Sequence, residues 1–189
     1  MHGKYEQGMA LFRQKRYKEA LPLLLTAAKA RHPEAVMQVA YIYEKGIGMW
    51  FSDKKESLRW YCEAAKLKNI DAAVKAADAI FEGDLEAPAA QMLEFYLMTL
   101  KKNDPKIFYR VSEIYKNGFK EISPDETLSL KYLVKAAELG FPEAMYDLGI
   151  RYEKGHGVPF NSQKALFWIR KAAEKGHANA GKYWNKLNP

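Results

Sequence analysis

A chain of 189 residues with a single cysteine, Cys62, can form no intrachain disulfide, so a disulfide-stapled secreted scaffold is excluded and the core must come from packing. The 30 Lys and Arg against 23 Asp and Glu give a net charge of +7, but the basic residues run through the whole chain and form no block. That pattern serves solubility and leans towards an acidic partner. No run of about 18 apolar residues is present to span a bilayer. The opening Met1-His2-Gly3-Lys4-Tyr5-Glu6 lacks a signal-peptide core, so the expected location is cytoplasmic.

The first element is a tight helix pair over residues 4–30, in which Gly8, Leu11, Ala20, Leu24 and Ala27 fall on helical spacings around a turn at Gln14-Lys15-Arg16. From Ala35 onward a longer unit recurs. Ala35, Ala72, Ile107, Ala144 and Ala180 are 37, 35, 37 and 36 residues apart, and Gly46, Gly83, Gly118 and Gly155 repeat the register. A fixed period in the mid-thirties predicts an all-α solenoid, because each helix pair leaves an apolar face exposed until its neighbour covers it. The expected boundaries are 1–33, 34–70, 71–105, 106–142 and 143–178 for five helix pairs, with a C-terminal cap at 179–189, all in one domain.

Within each unit the second helix carries Trp60, Phe95, Tyr132 or Trp168 beside Leu58, Leu93, Leu130 or Leu166, a column expected to bury against the next repeat. Burial of each aromatic would contribute roughly 1.5–3 kcal/mol. The pairs Ala64-Ala65, Ala136-Ala137 and Ala172-Ala173 allow close helix approach. Asp53, Asp125 and Asn161 hold the N-cap slot, with Glu56 at capping-box spacing from Asp53. Residues 72–104 depart from the pattern: Gly83 lacks a following second glycine, and Thr99-Leu100 replaces the alanine pair, which predicts a different loop and looser packing. Gly118-Phe119-Lys120-Glu121-Ile122 also lacks the glycine pair.

The stretch Ala144–Gly176, with Leu148-Gly149, Gly155-His156-Gly157-Val158-Pro159, Lys164-Ala165, Trp168 and Lys171-Ala172-Ala173-Glu174-Lys175-Gly176, resembles the Sel1-like repeat (SLR) family of the tetratricopeptide (TPR) superfamily. The resemblance covers residues 35–180, and residues 4–30 resemble a plain tetratricopeptide pair. It implies an all-α, right-handed α/α superhelical solenoid that acts as a non-enzymatic adaptor or scaffold. Some members of the family are immunity proteins against secreted toxins, and that remains the alternative.

No assembled chemistry competes with this. His2, His32, His156 and His177 are scattered and no cysteine pair exists, so no metal site is expected. Nor is any nucleophile elbow or phosphate loop in its required context, so neither a catalytic centre nor a cofactor is expected. Cys62 reads as a buried small side chain, His156 as an exposed loop histidine. Basic residues alternate with acidic ones, which disfavours a nucleic-acid track, and a small-molecule ligand is not expected either.

The resemblance also implies that first helices line a concave face, so that Tyr5, Phe12, Arg13, Tyr41, Lys45, Tyr109, Glu113, Lys116, Tyr146 and Lys154 would contact a protein or peptide partner, an acidic one by the charge balance. Tyrosine and arginine suit such a role because they dominate interface hot spots. Packing between adjacent first helices is the competing use of the tyrosines.

Overall fold

The computed structural model describes residues 2–187, with His2 and Leu187 described by backbone alone. Met1, Asn188 and Pro189, the outermost residues of the expected first pair and cap, lie outside the described residues. Among these, eleven α-helices and no strand-paired sheet are found, which is the helical-repeat class that the period predicts. The chain divides into two compact units, Met1–Met98 and Thr99–Pro189.

The first unit holds α1 (His2–Arg13), α2 (Tyr17–Lys29), α3 (Pro33–Lys45), α4 (Lys54–Lys66), α5 (Ile70–Phe81) and all but the last residue of α6 (Ala89–Thr99). Here α1 packs on α2, α2 on α3, α3 on α4 and α4 on α5, so these five helices meet their chain neighbours. The second unit holds α7 (Pro105–Asn117), α8 (Glu126–Glu138), α9 (Pro142–Lys154), α10 (Ser162–Glu174) and α11 (Ala178–Leu187), with the same neighbour-to-neighbour packing. The turn between α1 and α2 falls at Gln14–Arg16.

Helix ends follow the expected chemistry. The side chains of Asp53, Asp125 and Asn161 accept the backbone N–H of Glu56, Leu128 and Lys164, each at 2.9 Å, which satisfies a donor that the first turn cannot. Gly46 and Gly155 end α3 and α9 in the left-handed region at φ 66° and 68°. The second glycine of each loop has a different cause. A Cβ on Gly157 would stand 2.5 Å from Glu126 Oε1, and one on Gly48 2.4 Å from Tyr17 Cβ. Glu126 and Tyr17 each open the second helix of the preceding repeat, so these glycines are where the loop lies directly against its neighbour.

One expectation fails. The column Trp60, Tyr132, Trp168 is only half-buried, Leu58, Leu93 and Leu130 likewise, and Leu166 is 40% exposed; Phe95 alone of the set is fully buried. The buried stripe lies one residue after each aromatic and one before each leucine, at Ser57 and Tyr61, Met92 and Tyr96, Ser129 and Leu133, Ala165 and Ile169, with Ala20 and Leu24 in the first pair. Each pair is four residues apart, and the stripe continues into Ala27-Ala28, Ala64-Ala65, Ala136-Ala137 and Ala172. One residue rotates a helix face by about 100°, so a large aromatic beside the stripe shields its flank without entering it. Partner helices come close because the facing position of the first helices is small. At Gly149 an added Cβ would stand 2.7 Å from Ile169 Cγ1 and 3.1 Å from the Ala165 carbonyl oxygen.

The two irregular repeats are irregular in the structure. Where a glycine pair is missing after Gly83, Leu85 turns inward and is buried, its N–H donating to the Ala79 carbonyl at 3.0 Å. After Gly118 a tight turn forms instead, with Phe119 and Ile122 exchanging two backbone hydrogen bonds of 2.9 Å. Thr99, in place of an alanine, is buried, and the chain tightens into a 3₁₀ turn at Leu100–Lys102 that ends on Asn103 at φ 53°.

Candidate partner-binding site

The ten residues expected on the first helices do not share one environment. Tyr5, Tyr109 and Tyr146 are half-buried, and each ring rests on the residue just before the next first helix: His32 at 4.4 Å between centroids, Phe141 at 5.1 Å and His177 at 4.5 Å. They cover the entry to that helix, and only their outer faces remain available. Phe12 leans on Tyr17 at 5.1 Å, and Arg13 is exposed in the last turn of α1. Tyr41 is the most open of the tyrosines at 44% exposure, one turn from Lys45, which pairs with Glu44 at 3.2 Å.

In the second unit a cleft of about 510 Å³ gathers Lys116 and Lys154 with Asp147, Ile150, Arg151, Glu126 and the Gly155-His156-Gly157 loop. Tyr109 reaches its wall by donating to Asp147 Oδ2 at 2.9 Å, and Glu113 steadies Lys116 at 3.1 Å; Tyr146 is turned away towards His177. Burial raises the Asp147 carboxyl above the usual carboxylate range, against the opposing effect of the Tyr109 hydrogen bond, and burial beside Asp147 raises the Tyr109 phenol. Arg151 is buried, bonded to Glu126 through one nitrogen and to Ser129 Oγ at 2.9 Å through the other. The Gly157 close approach therefore has a purpose: a side chain there would displace the carboxylate that neutralises Arg151.

The first unit contains the equivalent cleft, 72 positions earlier in the sequence, lined by Glu44, Lys54, Leu58, Tyr61, Lys75, Asp78, Ala79, Glu82 and Asp84. Glu44 accepts from Lys75 at 2.7 Å and from the Tyr61 hydroxyl, which itself accepts from Lys75 at 3.1 Å. Those two donors hold the Glu44 carboxyl down at about 2. Lys54 pairs with Asp84 at 2.6 Å, and Tyr96 donates to Asp78 at 2.6 Å.

The two clefts have opposite polarity at matching positions. Glu44 corresponds to Lys116, Lys54 to Glu126, Lys75 to Asp147, Glu82 to Lys154, Asp84 to His156 and Ala79 to Arg151. Four carboxylates face two lysines in the first. Two carboxylates face Lys116, Arg151 and Lys154 in the second.

Of the expected residues, Lys116 and Lys154 line the second cleft, Tyr109 and Glu113 support it, and Tyr5, Phe12, Arg13, Tyr41, Lys45 and Tyr146 line neither. Arg151, Glu126, Tyr61 and Lys75 were not anticipated. The signal for Arg151 is in its column, where Ile42, Ala79 and Ile114 precede it and a charge stands alone among buried apolar residues. Cys62 is buried, its thiol pushed up by that burial, with Gln91 Nε2 at 3.5 Å. Among the described residues no group of three or more His, Cys, Asp or Glu could hold a metal ion, and no helix is long and apolar enough to cross a membrane.

The family model for the Sel1 repeat matches residues 33–69, 109–141 and 142–177, together more than half of the chain. Over 157 residues the chain is 27% identical to the chitin synthase regulator SKT5 of Saccharomyces cerevisiae, an alignment that takes in 79% of this chain and 23% of that protein. It thus spans about a quarter of the yeast relative's length. Among solved structures, a Sel1 repeat protein from Oxalobacter formigenes superposes with TM-score 0.65 at 24% identity, covering 94% of this chain and 70% of the other. The protective antigen c5321 of uropathogenic Escherichia coli, which displays an SLR fold, superposes with TM-score 0.68 at 24% identity, covering 94% of this chain and 39% of the other.

Proposed function

Because the chain belongs to the Sel1 repeat family, whose fold is a non-catalytic scaffold for protein interaction, we propose that it is an adaptor that grips a partner protein through the charged clefts at its first helices. The observation that carries this reading is the charge reversal between the two equivalent clefts. Packing alone asks for no such difference, since the same stripe of small and large residues underlies both. Opposed charge patterns on repeated scaffolds specify what each will accept, because a like charge brought against either one is penalised.

The second cleft takes the acidic part of the partner. Lys154 stands exposed at its rim beside His156, while Arg151 is already neutralised by Glu126 and shapes the wall. The first cleft, with Glu44, Asp78, Glu82 and Asp84, takes a basic one. Outside the clefts, Tyr41, the open tyrosine, adds contact area at low rotamer cost, and Arg13 and Lys45 are exposed charges on the first helices. The chitin synthase regulator among the relatives has a regulatory name consistent with such a role, and this chain's own partner is proposed as a protein.

Affinity capture from the source cells followed by titration of the purified partner tests the reading. Lys116→Glu and Lys154→Glu should slow association and flatten its salt dependence, as removal of rim charges does, and Tyr41→Ala should weaken the complex by at least about 1 kcal/mol. Unchanged affinity in all three variants places the binding surface elsewhere and refutes the proposal.

A further inference from the structure

The loop between α3 and α4 carries a feature that neither the fold nor the clefts use. Ile47 and Met49 turn inward against the core of the first unit, but the next two side chains, Trp50 and Phe51, are 100% and 77% exposed. The loop is tied at both ends: the Met49 N–H donates to the Gly46 carbonyl at 3.1 Å, and the Asp53 N–H to the Tyr43 carbonyl at 2.9 Å. Single exposed apolar residues are ordinary on protein surfaces. A tryptophan and a phenylalanine side by side at the tip of a fastened loop, packing on nothing, are not.

The neighbourhood is basic. Gly48 lies against Tyr17, so the loop borders the α1–α2 turn, where a shallow hollow is lined by Lys15, Arg16, Tyr17, Lys18, Glu19 and Gly48. Lys54 and Lys55 follow the loop directly as the first residues of α4. Against these five cations stand Glu19, which takes Arg16 at 2.5 Å, Asp53, which caps α4, and Glu56, which takes Arg59 at 3.2 Å. Lys54 is held by Asp84. Lys15, Lys18 and Lys55 are exposed, and no carboxylate among the described residues forms an ion pair with them.

We propose that this edge is a reversible anchor to an anionic bilayer surface, with Trp50 and Phe51 entering the headgroup region and Lys15, Lys18 and Lys55 meeting lipid phosphates and carboxylates. The chemistry favours a bilayer. Aromatic rings prefer the headgroup level, where an apolar body and the indole N–H are both accommodated. Lysine stems extend along the interface while their ammonium groups stay wet, and anionic lipid attracts each nearby cation. A protruding pair of rings has no concavity of its own in which to receive a partner's side chain.

Co-sedimentation of the whole chain with vesicles of phosphatidylcholine alone, and of phosphatidylcholine mixed with phosphatidylserine, tests this. Binding to the mixed vesicles, weakened by salt and reduced about tenfold or more in Trp50→Ala/Phe51→Ala, is expected. Lys15→Glu/Lys18→Glu should reduce it as well, and Tyr41→Ala should leave it unchanged. Circular dichroism of each variant checks that the fold is kept, as expected for exposed positions. Absence of wild-type binding to the mixed vesicles overturns the proposal. So does undiminished binding of the Trp50/Phe51 variant, or a loss in that variant confined to a protein partner.

Discussion

The position of the buried stripe on α10 can be tested by two neighbouring truncations. Ile169 is 0% exposed, and its Cγ1 lies where a Cβ on Gly149 would be 2.7 Å away, so it rests directly on the backbone of α9. Ile169→Ala removes three carbons beside a glycine that has no side chain to fill the gap. Large-to-small changes of this kind cost about 2–5 kcal/mol, and a site that cannot collapse belongs in the upper half, about 3–4 kcal/mol. Trp168 is larger but half-buried, and its neighbours include the exposed Phe167 at 5.2 Å and Lys171 at 5.9 Å. With part of its surface already in water, Trp168→Ala should cost about 1.5–2.5 kcal/mol. Urea melts followed by far-ultraviolet circular dichroism give both values, and thermal midpoints should fall by about 2–4 °C per kcal/mol. Equal costs, or a larger one for Trp168, would refute the assignment and return the core to the tryptophan column.

Further perturbations separate the electrostatics of the two units. Glu44 has a folded pKa of about 2 against an ordinary value of 4.5, so its contribution is complete above pH 4.5 and is lost as pH falls towards 2. Glu44→Gln should abolish that increment of acid sensitivity; wild-type and variant stability curves that stay parallel from pH 5 to 2 contradict it. Asp147 is displaced upward by burial, so its ionisation costs stability as pH rises through and above the carboxylate range. Asp147→Asn, which can still accept from Tyr109, should therefore melt at or above wild type at pH 7, and a clear drop in the midpoint argues against it. Gly157→Ala should destabilise by about 1–3 kcal/mol, through positive φ and through expulsion of Glu126 from Arg151. A variant as stable as wild type would mean that the loop does not press on α8.

Much of the fold is legible in the sequence because the repeat is written several times over. Period, helix order, N-caps and the turn at Gln14–Arg16 each follow from residues whose local chemistry leaves few alternatives, such as Asp53, Asp125 and Asn161 at one slot. The register of burial is less legible. Trp60 and Trp168 are the largest residues in their helices, and size draws them into a sequence-based core, although the adjacent Tyr61 and Ile169 take it. Periodicity cannot resolve one residue when both candidates are apolar. The clefts were half legible: Lys116 and Lys154 follow from helix position, whereas Arg151, Glu126 and Lys75 matter through partners 25 to 31 residues away, as in Arg151 with Glu126 and Lys75 with Glu44. The tyrosines show the limit of reading a face by spacing, since Tyr109 and Tyr146 spend one side of their rings on Phe141 and His177.

The reversed clefts have a consequence for how such a chain can change. The residues that set polarity, Glu44 against Lys116 and Glu82 against Lys154, lie outside the buried stripe, so a sign can flip without recutting the core, although at Glu44 the Lys75 that it holds in the next repeat has to reverse with it, as Asp147 does near Lys116. On the proposed function, partner choice and core packing would then be carried by separate positions of the same 72-residue unit. Duplicating a helix pair and rewriting a few rim positions would give a new recognition element on an already tolerated frame. Substitutions at Ile169 or Gly149, by contrast, would have to be matched across two helices at once.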